Sequence, residues 1–136
     1  MKNEFIPYEF IPYEQALALK ELEFDEPCFG LWNLNNGKHE VDIIGVCEYS
    51  KEFKYREVLA PTFSQAFRWF RKKYNLDSFV KHLYKSTIKV GYYFGIDQYK
   101  GVEFQMDFDA WYDTYEEAEL ACLKKLIELS TETNKP

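Results

Sequence analysis

Thr87-Ile88-Lys89-Val90-Gly91-Tyr92-Tyr93-Phe94-Gly95-Ile96 is followed, across Asp97-Gln98-Tyr99-Lys100-Gly101, by Val102-Glu103-Phe104-Gln105-Met106-Asp107-Phe108-Asp109. Both runs alternate with period two. In the first, Ile88, Val90, Tyr92, Phe94 and Ile96 share one face, and Thr87, Lys89, Gly91, Tyr93 and Gly95 share the other. In the second, Val102, Phe104, Met106 and Phe108 oppose Glu103, Gln105, Asp107 and Asp109. Such alternation marks antiparallel strands with one buried face. Thr114-Tyr115-Glu116-Glu117 then carries the Thr/Glu pair of a capping box. Behind it Tyr115, Ala118, Cys122, Leu123, Leu126 and Leu129 recur at helical spacing and are the expected core positions of a last helix.

On the N-terminal side of these runs, Ser78 to Tyr84 is a further strand, turned by Lys85-Ser86 into the first of the two. Before it, Phe63, Ala66, Phe67, Phe70 and Tyr74 form a wide aromatic helix face, opened by the capping box Thr62-Phe63-Ser64-Gln65. Asn75 suits a left-handed C-cap with Leu76 folding back behind it. Glu48 to Leu59 mixes charge with Tyr49, Phe53 and Tyr55 and reads as a loop or irregular extended segment. Cys28 to Asn33 and Glu40 to Cys47 flank Asn35-Asn36-Gly37, a strong turn signal, and make a hairpin. Pro12 to Glu23, with Ala16, Leu17, Ala18, Leu19 and Leu22, reads as the first helix, ended by Phe24-Asp25-Glu26-Pro27.

The extreme N-terminus holds a tandem repeat: Glu4-Phe5-Ile6-Pro7-Tyr8 recurs as Glu9-Phe10-Ile11-Pro12-Tyr13. A five-residue period fits neither helix nor strand. The second copy runs straight into the helix and is taken as the native one, with residues 1–11 as an N-terminal extension. Residues 131–136 are read as a polar tail. The order is helix, hairpin, helix, three-stranded meander, helix. That is a single α+β domain over 1–136, its helices packed on one sheet face.

The chain has 136 residues, a net charge of −6 and 26 aromatic side chains (12 Phe, 11 Tyr, 3 Trp). That length is one domain's worth. The aromatics are expected mainly to fill a small core, with an aromatic recognition surface as the alternative. The acidic balance opposes general nucleic-acid binding, which requires a basic footprint. Cys28, Cys47 and Cys122 are odd in number and embedded in apolar sequence, as buried thiols of a reducing compartment are. No signal peptide or membrane span is visible in the sequence, so a cytoplasmic location is expected.

Two resemblances add to this. Phe63 to Leu129 has the order α-β-β-β-α and resembles the double-stranded-RNA-binding domain, down to the alanine-containing last helix Glu117-Ala118-Glu119-Leu120-Ala121-Cys122-Leu123. That family's phosphate-straddling lysines correspond here to Tyr115, Glu116 and Glu117, so duplex-RNA binding is not expected. The blocks Phe10 to Lys20, Phe24 to Phe29, Ala60 to Arg71 and Thr114 to Leu123 are similar to a family of small proteins from Bacteroidetes genomes and their phages and mobile elements. That family carries no activity to transfer. It implies a small accessory protein, with residues 34–59 and 78–110 as its variable part.

Chemistry is sparse. His39 and His82 have no Cys or His at ligand spacing, which opposes a zinc site. Asp107 and Asp109 share a strand face with Asp113 close behind; a solvated acidic face is the reading, ahead of a Mg²⁺ site. No phosphate loop or nucleophile motif is present. No cofactor and no enzymatic activity are expected. The candidate ligand or partner residues are Arg68, Trp69, Arg71 and Tyr93. Trp69 stands beside Arg68, Arg71, Lys72 and Lys73, where an indole and guanidinium groups suit a stacked nucleotide; the alternative is a core contact for the indole. Tyr93 is flanked by Gly91 and Gly95, which mark close approach by a partner or by the chain itself. The functional expectation is a non-enzymatic interaction protein that binds a host protein. The alternative is a binder of nucleotide or nucleic acid through the Trp69/Arg face.

Overall fold

The computed structural model describes residues 9–35, 37–47, 57–98, 102–105 and 111–134. The class is α+β, as expected, with three helices and two antiparallel sheets among the described residues. The elements run α1 (Tyr13–Glu21), β1 (Cys28–Asn35), β2 (Lys38–Cys47), β3 (Val58–Ala60), α2 (Phe63–Tyr74), β4 (Leu76–Lys85), β5 (Ile88–Gln98), β6 (Val102–Gln105) and α3 (Tyr115–Thr133). Two compact units are distinguished, residues 1–66 and 67–136, with the boundary inside α2.

In the first unit the expected hairpin is joined by a third strand, giving the order β2-β1-β3. β3 replaces the end of the segment expected to be irregular; residues 48–56 of that segment lie outside the described residues. Three residues are too few to show a period, but Val58, Leu59 and Ala60 are all buried and pair antiparallel with Trp32, Leu31 and Gly30. α1 lies against β3. The second repeat copy is structural. Phe10 and Ile11 are buried, Phe10 bridges Thr62, and the Ile11 N–H donates to the Pro61 carbonyl at 3.0 Å. The expected extension over 1–11 is therefore corrected: its last two residues are core.

α1 stops earlier than its proline-containing sequel requires. Glu23 takes a left-handed φ of 68°, the Phe24 N–H donates to the Leu19 carbonyl (2.9 Å) and the Glu23 N–H to the Lys20 carbonyl (3.0 Å). This is a Schellman cap, closed by the buried pair Leu19 and Phe24. At α2, Thr62 Oγ1 accepts from the Gln65 N–H at 3.2 Å, while the Gln65 amide donates to the Pro27 carbonyl at 2.8 Å. The side chain expected to complete the capping box thus ties α2 to the segment before β1. Asn75 ends α2 at φ 56°, with Leu76 buried behind it.

In the second unit β4, β5 and β6 form the expected meander in the order β4-β5-β6, and α3 lies against β5 and β4. The β4–β5 turn is Ser86-Thr87, one residue later than expected, with Ser86 at φ 57° and Lys85 paired to Ile88. Thr114 Oγ1 accepts from the Glu117 N–H at 3.1 Å and caps α3. Ala118, Cys122, Leu123, Leu126 and Ser130 are buried. Two expected core positions differ: Tyr115 is exposed and Leu129 half-buried, because the buried stripe follows i, i+4 spacing from Ala118 to Ser130. α3 also continues through the expected polar tail to Thr133.

Candidate interaction surface

β4 and β5 pair Ser78 with Ile96, Val80 with Phe94 and His82 with Tyr92 on one face, and Phe79 with Gly95, Lys81 with Tyr93 and Leu83 with Gly91 on the other. α3 covers the first face. Ile96 is buried beneath it, and the Cys122 thiol bonds the Ser78 side chain. Burial pushes the Cys122 thiol up to about 12; the Ser78 bond opposes the shift and Glu119 adds to it. The Cys28 and Cys122 side chains are both buried.

α3 begins at Tyr115, whose ring meets Tyr92 edge-on at 5.9 Å. The strands run on past this point to the turn at Ser86. Ile88, expected in the core, is 68% exposed because the register shift between Leu83 and Tyr84 pairs it with Lys85 and turns it to the opposite face. A register shift between Leu83 and Tyr84 further bends the hairpin here. What remains is a chain of ring contacts: Tyr84 to His82 (6.0 Å), His82 to Tyr92 (4.8 Å) and Tyr92 to Tyr115. Lys89 Nζ lies 4.4 Å from the Tyr92 ring and donates to its hydroxyl at 2.7 Å. Tyr84 is 55% and Tyr115 42% exposed. The Tyr115 phenol is raised above its ordinary value by burial first, then by Glu119, Cys122 and Glu116.

The expected site residues are distributed differently. Trp69 is buried at 4% exposure, packed edge-on against Phe70 (5.0 Å) and Tyr74 (5.6 Å) with Lys73 Nζ 5.0 Å from its ring. Arg68 and Arg71 are exposed, and Arg71 Nε lies 3.8 Å from Asp77. The arginines reach solvent and the indole does not, so Trp69 is not the stacking ring expected beside them. Tyr93 is half-buried and meets Phe79 edge-on at 6.0 Å. The flanking glycines are covered by this unit's own residues: the Phe79 ring lies on Gly95, and Trp111 and the Tyr112 carbonyl lie on Gly91.

His39 stacks on Tyr13 at 3.7 Å. Among the described residues no group of three or more His, Cys, Asp or Glu is placed to hold a metal; Asp107 and Asp109 lie outside them. No described helix is long and apolar enough to cross a membrane. The aromatic chain Tyr84–His82–Tyr92–Tyr115 was missed in sequence because its members belong to three elements; the only local signal was a strand pair longer than a helix of ordinary placement would cover. No protein-family model, curated protein or solved structure matches the chain.

Proposed function

We propose that the chain is a non-enzymatic interaction protein, a cytoplasmic accessory of a Bacteroidetes phage or mobile element that binds a host protein. The observation that carries this reading is the uncovered aromatic end of the β4–β5 face. Tyr84 and Tyr115 expose large apolar surface, with His82, Tyr92 and Lys89 filling the gaps between them. Tyrosine-rich, partly apolar clusters with polar tips are the residues that carry binding energy at protein interfaces. The rings are held by a hairpin and a helix cap, so little side-chain entropy is lost when a partner covers them. The experiment is affinity capture from host lysate with the wild-type chain and with the double variant Tyr84→Ser/Tyr115→Ser. A protein retained by the wild type and lost by the variant is expected. Equal retention by both, or elution of a nucleotide with no protein, would overturn the reading.

A further inference from the structure

β4 is an edge of its sheet, paired with β5 alone among the described residues. Which of its backbone groups point outward follows from β5. Tyr92 exchanges both of its backbone bonds with Tyr112, at 2.8 Å each way, on the side of β5 away from β4. Tyr92 and His82 are therefore a non-hydrogen-bonded pair of the antiparallel ladder. By alternation so are the pairs at Val80 and Ser78, while Lys81 with Tyr93 and Phe79 with Gly95 carry the ladder bonds. The N–H and C=O groups of Ser78, Val80 and His82 thus face away from the sheet. Among the described residues they make no further backbone bond. Proteins blunt such an edge with proline, a bulge or charge. From Ser78 to His82 there is no proline, and the register shift comes later, between Leu83 and Tyr84. Charge is present but sorted by sign. On one face of β4, Asp77 stands at the start with Asp97 across from it, and Lys81 and Lys85 follow towards the turn; all are exposed.

We infer that β4 pairs with β4 of a second copy of this chain, antiparallel about a two-fold axis at Val80. Main-chain bonds supply the affinity, as in other strand additions. This register matches every outward-facing group from Ser78 to His82. Val80 bonds Val80 of the second copy, and Ser78 and His82 bond that copy's His82 and Ser78. It also matches the charges. Asp77 stands opposite Leu83 of the second copy, with that copy's Lys81 and Lys85 at the two diagonal positions, within reach of long side chains. Lys81 stands opposite the second copy's Phe79, as it already stands over its own, with Nζ 4.6 Å from the ring. Moving the axis to Lys81 opposes that lysine to itself. Moving it to Phe79 sets Leu83 against Asn75, before β4 begins. The order of signs along β4 is its own complement when reversed, which is what an isologous interface needs. The resulting sheet runs β6-β5-β4-β4-β5-β6 through two copies. This pairing of the chain with itself goes beyond the binding of a host protein proposed above.

The test is analytical ultracentrifugation of the purified full chain from dilute to concentrated solution, with amide exchange measured at the same concentrations. A reversible shift from the 16.3 kDa monomer to a dimer is expected. With it the Ser78, Val80 and His82 amides become protected, while those of Phe79 and Lys81, bonded to β5, are protected at every concentration. Val80→Pro removes an outward N–H without removing a bond to β5, and weakens dimerisation by about tenfold or more. Asp77→Lys sets like charges together and weakens it as well. Asp77 is an exposed position, so this variant keeps the test open if Val80→Pro fails to fold. Host lysate takes no part, so the outcome bears on this edge and not on the ring cluster. The inference is overturned by a chain that stays at 16.3 kDa at the highest concentration. It is equally overturned by a dimer whose Ser78, Val80 and His82 amides exchange as they do in the monomer, or by one indifferent to Asp77→Lys.

Discussion

Trp69 and Cys122 show how burial assigns roles to single residues. At 4% exposure, with Phe70 and Tyr74 packed edge-on against it, the Trp69 indole is core. Trp69→Ala should cost about 3–5 kcal/mol in a denaturant melt, the scale of a large buried aromatic deletion; a loss under about 1 kcal/mol would place it at the surface. For Cys122, a folded-state value of about 12 exceeds the ordinary 9.0. Between these values the folded chain holds a proton that the unfolded chain has lost. Stability from this group is thus complete below pH 9 and declines as pH rises towards 12, by up to about 1.4 kcal/mol per pH unit. The measurement is the difference in alkaline melting between wild type and Cys122→Ala. It should appear only above about pH 9, with the wild type losing stability faster.

At the scale of elements, the role of each repeat copy is decided by the residues on its C-terminal side. Sliding the first copy into the place of the second without an insertion would put Glu14 where Leu19 is fully buried and Pro12 inside α1. A buried carboxylate and an interior helix proline are each costly, the proline by about 3 kcal/mol. Phe10→Ala should therefore destabilise the chain by about 3–5 kcal/mol, and Phe5→Ala by less than about 0.5 kcal/mol, compared by thermal melting. The strand glycines belong to the same scale. A Cβ on Gly91 would lie 2.6 Å from the Tyr112 carbonyl oxygen, which is held in a reciprocal backbone pair with Tyr92 at 2.8 Å each way. Because backbone must shift, Gly91→Ala should cost about 1–3 kcal/mol and disturb the bridge, read as faster amide exchange at Tyr92 and Tyr112.

For the molecule as a whole, the distribution of charge counts for more than its sum. The net charge is −6, and α3 opens with Glu116 and Glu117 in its first turn, on the exposed side of its cap. Duplex RNA should bind weakly or not at all at physiological salt; a salt-sensitive submicromolar complex in a gel-shift titration would contradict this. On one face of the β4–β5 pair the signs are mixed, Lys81 and Lys85 standing with the exposed cross-strand pair Asp77 and Asp97. That arrangement emerges only when the two strands are put in register.

The period-two runs, the Thr114 cap and the left-handed Asn75 were legible in the sequence because each depends on residues within one turn or one strand. They sufficed for the α+β class and for the meander. β3 was not legible: Val58, Leu59 and Ala60 are a strand only because β1 offers them an edge. Nor was the exposure of Ile88 and Tyr115, which share apolar patterning with buried neighbours: a register shift turns Ile88 to the face of Lys85, and Tyr115 stands at the start of α3, ahead of its buried stripe. Periodicity reports which face a side chain occupies. Whether another element reaches far enough to cover that face is settled by packing between segments distant in sequence, and it is there that the candidate surfaces of this chain arise.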